Sequence, residues 1–255
     1  MLLEEVQKLK AKWGKEIILL AHHYQRHEIA DLGDRLGDSY QLAKAASEAE
    51  EARFIVFCGV RFMAEAAEIL RRENQVVVHP AEEAGCPLAD MATPEQLRKA
   101  REEHPNAAIV SYVNTTAAVK AESDICCTSA NAVQVVNSLE AGEIIFVPDR
   151  NLGHYVARNS DKDIILWHGW CPTHITLYAA DVLECRGEYP NACFMAHPEC
   201  LPETLELADE IASTSGMLAY TRHSEADQFV VGTEMGLIHT LQKENPAREF
   251  YSPTA

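Results

Sequence analysis

The chain is short of positive charge, of long apolar runs and of linker-like segments. Lys and Arg number 22 against 39 Asp and Glu, a formal net charge of −17. Nucleic-acid binding needs a basic face, so this balance argues against it. Acidic small molecules remain open as ligands, because local dipoles can oppose the global field. The longest apolar runs, such as Ile17–Ala21, are far too short to span a membrane. The opening MLLEEVQKLKAKWGK is charged throughout and has no apolar h-region, so it does not read as a signal peptide, and a cytoplasmic location is expected. No Pro/Ser-rich or low-complexity stretch separates domains. In a chain read as intracellular, eight cysteines point to metal, catalysis or packing, not to disulfides. What is present is ordinary for a globular protein: 47% hydrophobic and 24% charged residues, in 255 residues that allow one large domain or two to three small ones.

Short apolar runs alternate with helix-period segments. Nine runs read as strands: 16–21, 54–58, 76–78, 108–112, 143–147, 163–167, 192–196, 217–220 and 249–251. Helical patterns include 39–50, 61–73, 129–139, 203–211 and 233–243. Strands that look buried on both faces, alternating with helices, predict an α/β fold of parallel sheets covered by helices.

A repeat runs through this pattern. The first, fourth and seventh runs lead into polar residues two apart: His22 and Tyr24, Tyr112 and Asn114, His197 and Glu199. Seventeen residues after the first of each pair stands a hydroxyl, at Ser39, Ser129 and Thr214, where a helix is expected to begin. Helical stretches at 3–12, 94–103 and 175–185 open the three units. The expected architecture is three βα repeats, 1–86, 87–171 and 172–255, each a small parallel sheet flanked by helices. Pseudo-threefold symmetry then gathers them around a central active site.

Ligands of parallel α/β sheets bind beyond the carboxyl ends of the strands. His22, Tyr24, Tyr112, Asn114, His197 and Glu199 all fall there. The hydroxyls at helix starts favour a phosphate or carboxylate; the plainer alternative is that each is an N-cap. Cys86 and Cys171 stand 85 residues apart at equivalent repeat ends, both followed by proline, and neither lies in a CxxC motif that would mark zinc. Their spacing puts a third member near 256–261, just beyond Ala255. Three thiolates on one iron–sulfur cluster would leave one iron open as a Lewis acid. The other cysteines read as structural, with Cys200 the best rival ligand.

The motifs AHHYQ (21–25) with GDS (37–39), FCGVRFMAE (57–65), AGCPLAD (84–90), YVNTTAAVKAESD (112–124), TSANA (128–132), PDRNLG (148–153), HGWCPTH (168–174), HPEC (197–200), STSG (213–216) and GTEMGL (232–237) run in order through nearly the whole chain. Together they resemble the quinolinate synthase (NadA) family. The resemblance implies a three-repeat fold with a [4Fe-4S] cluster held by three cysteines. It implies condensation of iminoaspartate with dihydroxyacetone phosphate to quinolinate, releasing phosphate and water, in NAD biosynthesis. Functional coupling to an iminoaspartate-producing enzyme follows from it. Cys86 and Cys171 match two cluster ligands. His22, Ser39, Tyr112, Asn114, Ser129, His197, Glu199 and Thr214 match substrate-binding positions, and Tyr24 matches a tyrosine tied to catalysis. The chain departs from the family in reading TSAN for TSSN, so Ala130 lacks a hydroxyl, and in lacking the segment with the third cysteine. Tyr24, His197 and Glu199 are the expected catalytic residues: Glu199 and Tyr24 move protons and His197 holds the substrate. Two rival readings are a mononuclear metal hydrolase or lyase on His22, His197 and Glu199, and a small-anion binding module without turnover.

Overall fold

The computed structural model describes residues 2–254. Helix and strand alternate throughout. The first repeat holds α1 (Leu2–Trp13), β1 (Ile17–His22), α2 (His27–Ala30), β2 (Arg35–Gly37), α3 (Ser39–Glu48), β3 (Phe54–Cys58), α4 (Arg61–Leu70) and β4 (Val76–Val78). The second holds α5 (Pro94–Glu103), β5 (Ala108–Tyr112), α6 (Ala117–Ala121), β6 (Ile125–Cys127), α7 (Ala132–Ser138), β7 (Glu143–Val147), α8 (Arg150–Arg158) and β8 (Asp163–Leu166). The third holds α9 (Ala179–Glu188), β9 (Cys193–Ala196), α10 (Pro202–Leu205), β10 (Glu210–Ile211), α11 (Thr214–His223), β11 (Gln228–Gly232), α12 (Gly236–Glu244) and β12 (Glu249–Tyr251). Three parallel four-stranded sheets result, with orders β2-β1-β3-β4, β6-β5-β7-β8 and β10-β9-β11-β12. The chain forms two compact units, one ending at Cys86 with a single sheet, the other starting at Pro87 with two. Among the described residues no helix is long and apolar enough to cross a membrane.

The three sheets share one register. Leu20 lies opposite Arg35, Val110 opposite Ile125 and Met195 opposite Glu210, a fifteen-residue offset each time. An aspartate fixes it. The Asp34, Asp124 and Asp209 carboxylates accept the N–H of Leu19, Ile109 and Phe194 at 2.8, 2.7 and 2.8 Å. Each aspartate's own N–H returns to the carbonyl of the same residue. A cation from the opening helix closes the clasp: Lys10 meets Asp34 at 2.8 Å, Arg101 meets Asp124 at 3.2 Å and Arg186 meets Asp209 at 3.4 Å. Each cation also donates to the carbonyl two residues before its aspartate, at Leu32, Glu122 and Leu207.

The inner strands carry the core. Leu20, Ile55 and Phe57 are fully buried in the first unit; Ile109, Ile145 and Val147 pack with Leu97 and Val119 around the second sheet; Phe194 and Val230 pack with Val182 and Leu205 around the third. Three expectations need correction. The run 217–220 is not a strand: it lies within α11, started by Ser213, whose hydroxyl accepts the Gly216 N–H. The strand in that place is β11, whose polar first residue and terminal glycine hid it. The segment 203–211 is no single helix but the short α10 followed by β10. The strands are not all buried on both faces, because β4 and β8 are sheet edges with exposed residues. The short second strands β2 and β10 gave no apolar run, and β6 only the three residues Ile125–Cys127, which do not read as a strand.

Asp124→Ala should destabilise the second unit by about 1–3 kcal/mol, the cost of leaving the buried Ile109 N–H without its acceptor. Urea unfolding measures it, and the exposed Asp161→Ala, expected within about 0.5 kcal/mol of wild type, is the control. Equal effects would refute the clasp.

Candidate active site

The chemistry of the second unit centres on Glu199, just past the end of β9. Its side chain is 2% exposed. A buried carboxylate is costly unless donors surround it, and here they come from separate elements. The Tyr112 hydroxyl, at the end of β5, donates to Oε1 at 2.6 Å. His174 Nδ1, in a short helical turn at His174–Thr176, sits 3.0 Å from Oε2 and carries the proton of that contact, since a carboxylate can only accept. His174 Nε2 meets the Thr233 hydroxyl at 2.9 Å, just after β11. The Asn151 amide donates to the Glu199 carbonyl at 3.1 Å. Burial pushes the Glu199 carboxyl up, but the charge on His174 and the donated hydrogen bonds outweigh it and hold it below the usual carboxylate range.

His197 stacks on His174 with ring centroids 4.6 Å apart. Its Nδ1 accepts the Glu199 N–H at 3.3 Å, which leaves the proton on Nε2, 3.2 Å from the Ser129 hydroxyl. His22 repeats the device in the first unit, where its Nδ1 accepts the Tyr24 N–H at 3.2 Å. Burial first, and then the neighbouring histidine, push both imidazoles down to about 3. At neutral pH both rings are therefore fixed, uncharged Nε2–H donors.

Cys171 opens the turn that carries His174. One ligand atom each of Cys171, His174 and Glu199 lies within 4.8 Å of the others. Burial and the Glu199 charge push the thiol far above its usual range, while the N–H groups of Thr173 and His174 draw it back. The thiol stands beside an imidazole and a carboxylate, a donor set of the kind that binds a metal ion. Cys86 occupies the matching place in its own repeat: each cysteine precedes a three-residue helical turn by three positions and a helix by eight. Cys200, the rival, is buried with its thiol directed at the Gly232 carbonyl, a structural role. All eight cysteines are free of disulfides.

The sequence-predicted residues divide between the units. Tyr112, Ser129, Cys171, His197 and Glu199 come together in the second. Asn114 stands near Tyr112 in sequence with its Oδ1 buried and lacking a protein donor among the described residues. Thr214 is the buried first residue of α11. His22, Tyr24, Ser39 and Cys86 belong to the first unit, where the Tyr24 ring meets His22 edge-on at 4.6 Å. The hydroxyls at the helix starts are not the caps: Asp38 caps α3, Ser213 caps α11, and Ser129 lies three residues ahead of α7. Two residues escaped sequence reasoning. His174 has no counterpart at the matching Ala89. Asp149, fully buried, caps α8, and burial and the Glu199 charge push its carboxyl up against the pull of three N–H donors.

The family described as "NadA: Quinolinate synthetase A protein" matches residues 4–255. A quinolinate synthase of Methanosarcina barkeri is 52% identical over 250 residues, 98% of this chain and 81% of that protein. Those of Methanoregula boonei and of a Sulfurihydrogenibium species are 51% and 48% identical, over 98% and 99% of this chain and 82% and 81% of theirs.

Lowering the pH should cost stability through His22. Its folded pKa lies below the unfolded value near 6.5, so the unfolded chain binds the extra proton first, and stability present above about 6.5 is lost as pH falls toward about 3. His22→Asn, whose Oδ1 can still accept the Tyr24 N–H, should flatten the decline in urea midpoint between pH 7 and 4.5. An unchanged slope would count against the neutral ring.

Proposed function

The chain belongs to the quinolinate synthase family, and from that premise we propose that it condenses iminoaspartate with dihydroxyacetone phosphate to quinolinate, releasing phosphate and water. The observation that carries the reading is the placement of a thiol, an imidazole and a buried carboxylate within 4.8 Å in the second unit. This joins a metal thiolate to an acid–base group. Cys171 and Cys86 would hold a [4Fe-4S] cluster, with a third cysteine past residue 255 in a longer chain. When bound, such a cluster supplies a Lewis acid at its open iron that helps hydroxide leave.

The remaining work falls to the chain's own residues. Glu199, ionised and clamped by Tyr112 and His174, exchanges protons with substrate, and Tyr24 is its partner in isomerising the triose, forming the imine and removing water. His22 and His197 offer fixed Nε2–H donors to substrate oxygens. The Asn114 Oδ1 takes a substrate hydroxyl or imine N–H that the protein itself does not provide. Ser129 and Thr214 bind the phosphate, with Ser39 orienting a carboxylate. Each of the repeats 1–86, 87–171 and 172–255 would contribute strand-end residues to the reaction. The cell's cytoplasm and an iminoaspartate-producing enzyme complete the proposal.

The same trio also favours a second reading, a mononuclear metal site. The set first considered, His22, His197 and Glu199, is weaker, because the Nδ1 atoms of His22 and His197 are already engaged by backbone N–H groups. Anaerobic iron and sulfide analysis separates the readings, on this chain and on one extended past Ala255. Iron with acid-labile sulfide supports the cluster, and zinc without sulfide supports the rival. After reconstitution, Glu199→Gln should keep the cluster absorbance and lose quinolinate formation by at least about a hundredfold; near-normal turnover overturns the role of Glu199.

A further inference from the structure

Asp149 stands outside the set of residues given a role so far, yet its carboxylate joins two parts of the second unit. Oδ1 accepts the N–H groups of Asn151 and Leu152 at 2.9 and 2.8 Å, the first turn of α8. Oδ2 turns the other way and accepts the Cys171 N–H at 2.9 Å. The backbone reinforces this second link. Asp149 bridges to Gly169, the Arg150 N–H donates to the Gly169 carbonyl at 2.9 Å, and a Cβ at Gly169 would collide with the Pro148 carbonyl oxygen. The chain that leads into Cys171 is thus pressed onto the end of β7, and only glycine permits it. Two residues past Asp149, the Asn151 amide holds the Glu199 carbonyl.

Capping alone does not demand this carboxylate. The matching position ahead of α4 is Val60, and that helix begins without a side-chain cap. At the matching Glu234 ahead of α12, the carboxylate accepts only the nearby Gly236 N–H among its described hydrogen bonds. The link to the Cys171 turn runs through the second carboxylate oxygen of Asp149, which the α8 cap does not use.

We propose that Asp149 is a positioning residue that fixes the Cys171 sulfur for its metal group through the Cys171 N–H. The proposal rests on the assignment of Cys171 as a cluster ligand, but its test does not need the cluster. In Asp149→Asn the amide oxygen can keep the α8 cap while the amide N–H groups oppose the Cys171 N–H. The readout is the rate of iodoacetamide alkylation at each cysteine of the metal-free protein, resolved by mass spectrometry. Alkylation of Cys171 should rise about tenfold, the loss of one hydrogen bond's worth of order, while that of Cys200 stays within about twofold. An unchanged Cys171 rate overturns the proposal. So does a parallel rise at Cys200, which would make Asp149 a general stabiliser. Protein extended past Ala255 that takes up no iron and sulfide would instead sink the cluster reading and leave the alkylation result standing.

Discussion

A carboxylate buried at 2% exposure must be met by donors wherever they can be brought from, and the second unit is arranged so that Glu199 is met. Its partners stand 87 residues earlier at Tyr112 and 25 earlier at His174. Those residues are the end of β5 and the turn behind Cys171, so ionising Glu199 ties two sheets and the cysteine turn to one atom group. The tie cannot be relaxed cheaply. Removing one partner leaves a charge in a low dielectric, which costs more than the pair itself gains. The same clamp leaves the carboxylate ionised at neutral pH and so able to take a proton.

The overall charge of −17 and an acidic substrate conflict only at long range. In the proposed reading, His22 and His197 would resolve the conflict locally without adding charge. Each has its Nδ1 occupied by the backbone two residues on, so each presents an Nε2–H. A neutral donor binds an oxygen without depending on pH in the physiological range, and it does not pair off with the many carboxylates of the surface. Burial, which forbids the imidazolium, is what makes the donor dependable.

Much of the fold could be read from the chain because parallel sheets need long apolar inner strands, and β1, β3, β5, β7 and β9 supply them. What escaped were elements whose structure comes from tertiary bonds. The second strand of each sheet is two or three residues long and held by an aspartate rather than by its own pattern. That aspartate left a trace, standing twelve residues after His22, Tyr112 and His197, on the same repeat that exposed Tyr24, Asn114 and Glu199. Run 217–220 misled because an apolar stretch of four does not distinguish a strand from a buried helix face; the cap at Ser213 decided it. His174 and Asp149 could not be found by periodicity, since neither recurs.

That failure is informative about how the molecule works. The aspartate clasp, the opening helix with its cation and the strand order recur in all three repeats and are structural. The strand tips, in contrast, differ from one repeat to the next. At the strand tips the first residue is His22, Tyr112 or His197 and the second is Tyr24, Asn114 or Glu199, so one backbone frame displays donors, acceptors and a base. Beyond the inner strands the same frame gives Val60, Asp149 and Glu234, and Asp149 reaches the Cys171 N–H. A symmetric scaffold fixes the positions at little cost in new folding information. Departures from the symmetry then give each copy a different chemical group at its tip, because three identical tips would offer only one kind of group.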